Sequence, residues 1–88
     1  MSTMYELQPR FDSRQSFYGK ATVTVIDTVL VLRSYETPVV VIATETNDIA
    51  LLPRWNSSAT TLRHVKEFLK QNGFKAESKA QMKADYCG

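Results

Sequence analysis

The stretch Trp55 to Gly73, WNSSATTLRHVKEFLKQNG, constrains the fold most, because it holds a start signal, an amphipathic body and a stop signal for one helix. The hydroxyl of Ser57 or Ser58 can accept a backbone N–H of the first turn and cap it. At about 100° per residue, Ser58, Thr61, Leu62, Val65, Phe68 and Leu69 fall in one arc, and Arg63, Lys66 and Lys70 fall on the other side. One face is therefore expected to be core and the other solvated and basic. Gly73 suits the left-handed position that ends a helix, and Phe74 can fold back on Phe68 or Leu69.

Ahead of this helix the pattern is that of a sheet. Residues 1–19 lack periodicity and mix Pro9, Arg10, Asp12, Arg14 and Gly19 with Tyr5, Phe11, Phe17 and Tyr18. They read as an irregular arm, part of which packs on the domain or on a partner because four aromatics are unusual in a free tail. From Lys20 onward the residues become β-branched and alternating, Thr22 to Ile26 and again Val29 to Arg33, with Asp27 and Thr28 between them. A hairpin fits this interruption better than one long bulged strand. Pro38 marks a strand start or an edge, since it cannot donate to a ladder. Val39 to Thr44 is nearly continuous in apolar residues and reads as a central strand. Glu45 to Asp48 supply a turn and Ile49 to Leu52 a short return strand, stopped by Pro53. Beyond Gly73, residues 75–88 form either a basic tail or a short helix, with too few apolar residues for a firm dock.

The fold class that follows is α+β: a small antiparallel sheet of three to four strands with one principal C-terminal helix packed on one face. The chain divides into an N-terminal arm, 1–19, a sheet-plus-helix domain, 20–74, and the C-terminal segment, 75–88. A length of 88 residues supports a single core. Cys87 is the one cysteine and cannot form an internal disulfide, and no apolar run approaches the ~20 residues of a membrane span. An intracellular protein with no membrane partner is the expectation. Charge is uneven: residues 1–53 carry four basic and six acidic side chains, a net −2, and residues 54–88 carry seven basic and three acidic, a net +4. Such a layout permits an acidic partner without requiring one.

Three motifs, SFYGKA at Ser16 to Ala21, SYETPVV at Ser34 to Val40 and WNSSATTLRHVKEFLKQNG at Trp55 to Gly73, resemble a family of small proteins encoded mainly by bacteriophages, prophages and related mobile elements. The resemblance covers roughly residues 10–74, and SATTLRHVKEFL is its most specific part. Relatives place a tyrosine-rich or glycine-containing turn between strand and helix, where this chain has Arg54, Trp55 and Asn56. The resemblance implies a source and a size class, and with them the cytoplasm of an infected or lysogenic bacterial cell, but no chemistry.

Candidate sites are few. Ser57, Ser58 and Thr60 with Arg63 could bind an anion at the helix start, or could simply cap and solvate it. Trp55 could be an interface anchor or a staple between loop and core. Arg63, Lys66 and Lys70, extended by Lys75, Lys79 and Lys83, form a basic ribbon that could meet an acidic protein or track nucleic-acid phosphates. His64 reads as a boundary residue bonded to a neighbouring loop. No catalytic set, cofactor motif or metal-ligand spacing is present. The expected function is a non-enzymatic binding protein that occludes or modulates a host macromolecule such as a defence or regulatory component. Nucleic-acid binding through the basic helix face and binding of a small anionic ligand or nucleotide are the alternatives. A host or phage protein is the expected partner, and exposed strand edges leave room for a homo-oligomer.

Overall fold

The structure is a computed structural model that describes residues 2–10, 17 and 19–86. Among them the chain forms β1 (Ser2–Glu6), β2 (Ala21–Ile26), β3 (Val29–Ser34), β4 (Thr37–Ala43), β5 (Asp48–Leu51), α1 (Ala59–Gln71) and α2 (Lys79–Tyr86). The strands lie in one antiparallel sheet in chain order, β1-β2-β3-β4-β5, so each pairs only with its sequence neighbours. The class is α+β as expected, with five strands where three to four were expected, α1 as the principal helix and α2 as a short helix within 75–88.

The added strand is β1, within the stretch expected to be irregular. It pairs with β2 from Ser2 opposite Ile26 to Glu6 opposite Thr22. Its five residues are too short and too polar to signal a strand by alternation, and the pairing supplies what the pattern lacks. The expectation that the early aromatics pack holds for Phe17, which is buried together with Leu7. Phe11 and Tyr18, like Cys87, lie outside the described residues.

Asp27–Thr28 is a hairpin turn, with Ile26 opposite Val29 and Asp27 at φ 52°, a left-handed conformation that Asp tolerates better than most residues. A second two-residue turn joins Ser34 to Thr37. Tyr35 and Glu36 both sit at positive φ there, 52° and 68°, the geometry whose twist matches a hairpin but which Asn-Gly adopts more readily. Pro38 follows it, opposite Arg33, and the register slips between Leu32 and Arg33. Leu32 faces Val40 and Arg33 faces Pro38, which leaves Val39 as the extra residue of a bulge. Val39 and Val40 are consequently both buried although they are adjacent.

Register sorts the strands into two faces. Tyr5, Val23, Leu32, Val40 and Leu51 share one row, and Thr3, Val25, Leu30, Ile42 and Ile49 share another on the same side. All regularly paired strand residues that are buried, namely Ala21, Val23, Leu32, Ser34, Val40 and Ile42, lie on this side. There they pack with Val65, Phe68 and Leu69 of α1 and Met82 of α2. Both helices therefore cover one face.

Helix α1 starts and stops as its sequence dictates. Ser58 is the N-cap, its Oγ accepting the Thr61 N–H at 3.1 Å. At the other end the Phe74 N–H bonds the Leu69 carbonyl and the Gly73 N–H bonds the Lys70 carbonyl, the paired bonds of a Schellman motif, with Gly73 at φ 83°. Its buried residues are Thr61, His64, Val65, Glu67, Phe68 and Leu69. The buried arc is thus rotated by roughly 50° from the purely apolar one, taking in His64 and Glu67 and leaving Leu62 half-buried. Helix α2 is docked, contrary to expectation: Met82 is fully buried, Ala76 is buried just before it, and the Tyr86 hydroxyl donates to the Lys75 carbonyl at 2.7 Å. Met82 supplies the apolar contact, and α2 lies against β5.

Candidate functional site

The residues considered for an anion differ in exposure and in what they already bond. Ser58 Oγ is committed to the cap, accepting the Thr61 N–H and donating to Thr61 Oγ1 at 3.1 Å. Ser57 is exposed and Thr60 half-buried. Arg63 lies about 140° around the helix from Ser58, since five residues separate them. Thr60, three residues before Arg63, shares its side of the helix, whereas the Ser58 hydroxyl faces away from it.

Trp55 is only 5% exposed and belongs to the core, and its backbone N–H donates to the Leu52 carbonyl at 2.9 Å. Its burial fits the staple reading of Trp55, with the side chain packed in the core beneath the β5–α1 connection. Arg63 remains exposed, whereas Lys66 and Lys70 are half-buried, their stems lying along the helix layer. Lys75, Lys79 and Lys83 are exposed beyond them. Of the three acidic residues in this part of the chain, Glu67 is 2% exposed, so Glu77 and Asp85 are the exposed carboxylates. The helix layer accordingly presents a positive surface more one-sided than the composition alone suggests.

His64 sits deeper than a boundary residue, at 1% exposure, with Nδ1 2.8 Å from Ser34 Oγ. Ser34 in turn donates to Thr61 Oγ1 at 3.2 Å. The His64 ring meets Phe17 edge-on, with centroids 4.5 Å apart, and Tyr35 at 5.9 Å. A serine beside a histidine invites a nucleophilic reading, but Ser34 is 3% exposed and its hydroxyl is used by two partners inside the core. The cluster joins α1 to the end of β3. Glu67 repeats the device one turn on: it accepts from Gln71 Nε2 at 2.6 Å, and the same amide donates to the Gln8 carbonyl at 2.6 Å. Among the described residues every buried side-chain polar atom has a partner.

The sheet's other face was not singled out from sequence. Met4, Thr24, Val31, Val41 and Ala50 form its central row, flanked by Ile26, Val29 and Ala43. None of these is buried, and Met4 and Ile26 are 66% and 46% exposed. A face left to water normally alternates toward polar residues, whereas β3 and β4 read as strands covered on both sides. The sequence signal for this is the nearly continuous apolar stretch Val39 to Thr44, which reads as a central strand. At one end of this face a groove of about 640 Å³ is lined by Met4, Gly19, Lys20, Thr22, Arg33, Tyr35 and Glu36. The Lys20 ammonium lies 5.5 Å from the centre of the Tyr35 ring. At the opposite end Asp27, Glu45 and Asp48 are all exposed.

Among the described residues no group of three or more His, Cys, Asp or Glu could hold a metal, and no helix is long and apolar enough to cross a membrane. A family of unknown function, DUF8033, matches residues 5–84, and the chain belongs to it. No curated protein and no solved structure matches.

Proposed function

We propose that this member of the DUF8033 family is a non-enzymatic binding protein whose helix layer docks on an acidic macromolecule. The observation that carries the reading is the charge of that layer: Arg54, Arg63, Lys66, Lys70, Lys75, Lys79 and Lys83 stand against two exposed carboxylates, Glu77 and Asp85. One-sided fields of this kind steer association and select partners of opposite sign. The resemblance to proteins of phages and mobile elements supports a host or phage protein as the partner, such as a bacterial defence or regulatory component.

Quantitative pull-down from bacterial lysate compares the full chain with a charge-reversed variant, K66E/K70E/K79E/K83E. An acidic protein enriched by the first and lost with the second is the expected result. Equal recovery by both, or no specific recovery, would refute the role of the helix layer. Should nuclease treatment abolish capture, the partner is nucleic acid, and affinity then falls linearly with salt on logarithmic axes.

A further inference from the structure

The open face of the sheet carries a separate inference. Strands β3 and β4 present apolar side chains on both sides, and this chain's helices cover only one. Five strands about 4.8 Å apart and about six residues of about 3.3 Å each give the open face a footprint of roughly 480 Å². Two such faces in contact remove roughly 1,000 Å² from water, the lower limit for a specific interface and the size of a weak, reversible dimer.

Charge decides how two copies meet. One end of the face carries Asp27, Glu45 and Asp48, whereas the other carries Lys20 and Arg33 beside Glu6 and Glu36. A two-fold axis along the strands would set acidic end upon acidic end. An axis across them reverses the strands, and each acidic end then meets the end that holds Lys20 and Arg33. In this second arrangement β2 and β3 of one copy lie over β2 and β3 of the other, so the hairpin tip at Asp27–Thr28 falls over Thr22 and Arg33. That is where the groove of about 640 Å³ opens. No described carboxylate forms an ion pair with Arg33.

We propose that a second copy of the chain packs face to face on the open side of the sheet with its strands reversed. Each copy seats its Asp27–Thr28 turn in the other's groove, beside Lys20 and Arg33, and Met4, Val31, Val41 and Ala50 form the dry centre. The product is a two-sheet sandwich with helices on both outer surfaces, its sheets about 10 Å apart.

Sedimentation equilibrium of the full chain, from about 1 to about 500 μM at low salt, tests this. The expected mass rises from one chain toward two with concentration. The variant V31K/V41K, which places charges on half-exposed positions, is expected to stay a monomer throughout. Asp27→Asn keeps a residue suited to the left-handed turn and removes only the charge, so it tests the seating even if the lysine variant fails to fold; its Kd is expected to rise at least tenfold. A wild type that stays monomeric over the whole range overturns the proposal. So does association unchanged in V31K/V41K, which would place the contact elsewhere, for instance at the β1 edge, and so does a Kd for Asp27→Asn within twofold of wild type. The variant K66E/K70E/K79E/K83E is expected to dimerise normally, which separates this inference from the role assigned to the helix layer.

Discussion

Ser34 shows how one short side chain fixes the meeting of helix and sheet. It is the last residue of β3, it lies in the core, and its oxygen touches both His64 and Thr61. Removing it takes this partner from His64 Nδ1, while Thr61 Oγ1 keeps the bond from Ser58 Oγ, a loss of about 1–3 kcal/mol where no water can enter. Ser34→Ala is therefore expected to lower the unfolding free energy measured by urea titration by that amount, whereas Ser57→Ala, at an exposed hydroxyl outside the cap, stays within about 0.5 kcal/mol. The sequence marks Thr61 for the core and His64 for a bond to a neighbouring loop, but not the depth of His64 and Glu67, and the reason is physical. A helical wheel ranks residues by their own polarity, and on that basis His64 belongs at the boundary and Glu67 in solvent. His64 is bonded to Ser34, which tertiary structure brings to it, whereas Glu67 is bonded to Gln71 of its own helix, whose amide reaches on to the Gln8 carbonyl. Trp55 errs in the opposite direction, since a large apolar residue next to a helix start fits a staple and a binding anchor equally well until its surroundings are known.

At the scale of elements, signals carried by local chemistry were read well. Ser58 caps α1, Gly73 and Phe74 end it, and Asp27–Thr28 turns the chain, because each depends on backbone geometry that a few neighbouring residues determine. Elements that depend on distant support were missed: β1, whose partner is fifteen or more residues away in sequence, and the docking of α2, which rests on Met82. The attachment of α2 has a pH signature. Burial, and after it the negative charge of Asp85, raise the pKa of Tyr86 above the ordinary value of 10.0. A group that holds its proton more tightly when folded contributes stability that is fully present below the unfolded pKa and is lost as pH rises through the folded one. The donated bond to the Lys75 carbonyl disappears with that proton. Tyrosine absorbance is accordingly expected to show one phenol titrating late, with α2 loosening over the same alkaline window. Tyr86→Phe should abolish the late titration, and a late phase that survives this substitution would assign it to another tyrosine.

For the whole molecule, the order β1-β2-β3-β4-β5 has a kinetic meaning. Two turns of two residues and one of four close β2 through β5, so most of the sheet can zip together from short loops. Pairing β1 instead closes a link of fourteen residues, from Leu7 to Lys20, which costs about 1.7 kcal/mol more in chain entropy than a two-residue loop. The edge strand is thus the natural last arrival in folding and the first departure in local opening. Native-state hydrogen exchange reads this directly: the β1 amides bonded to β2 are expected to exchange about tenfold faster than those between β3 and β4, and equal protection would mean that the sheet opens only as one unit. A meander of neighbours thus gives the sheet a built-in sequence of assembly, with its exposed edge held to the rest by the longest tether in the chain.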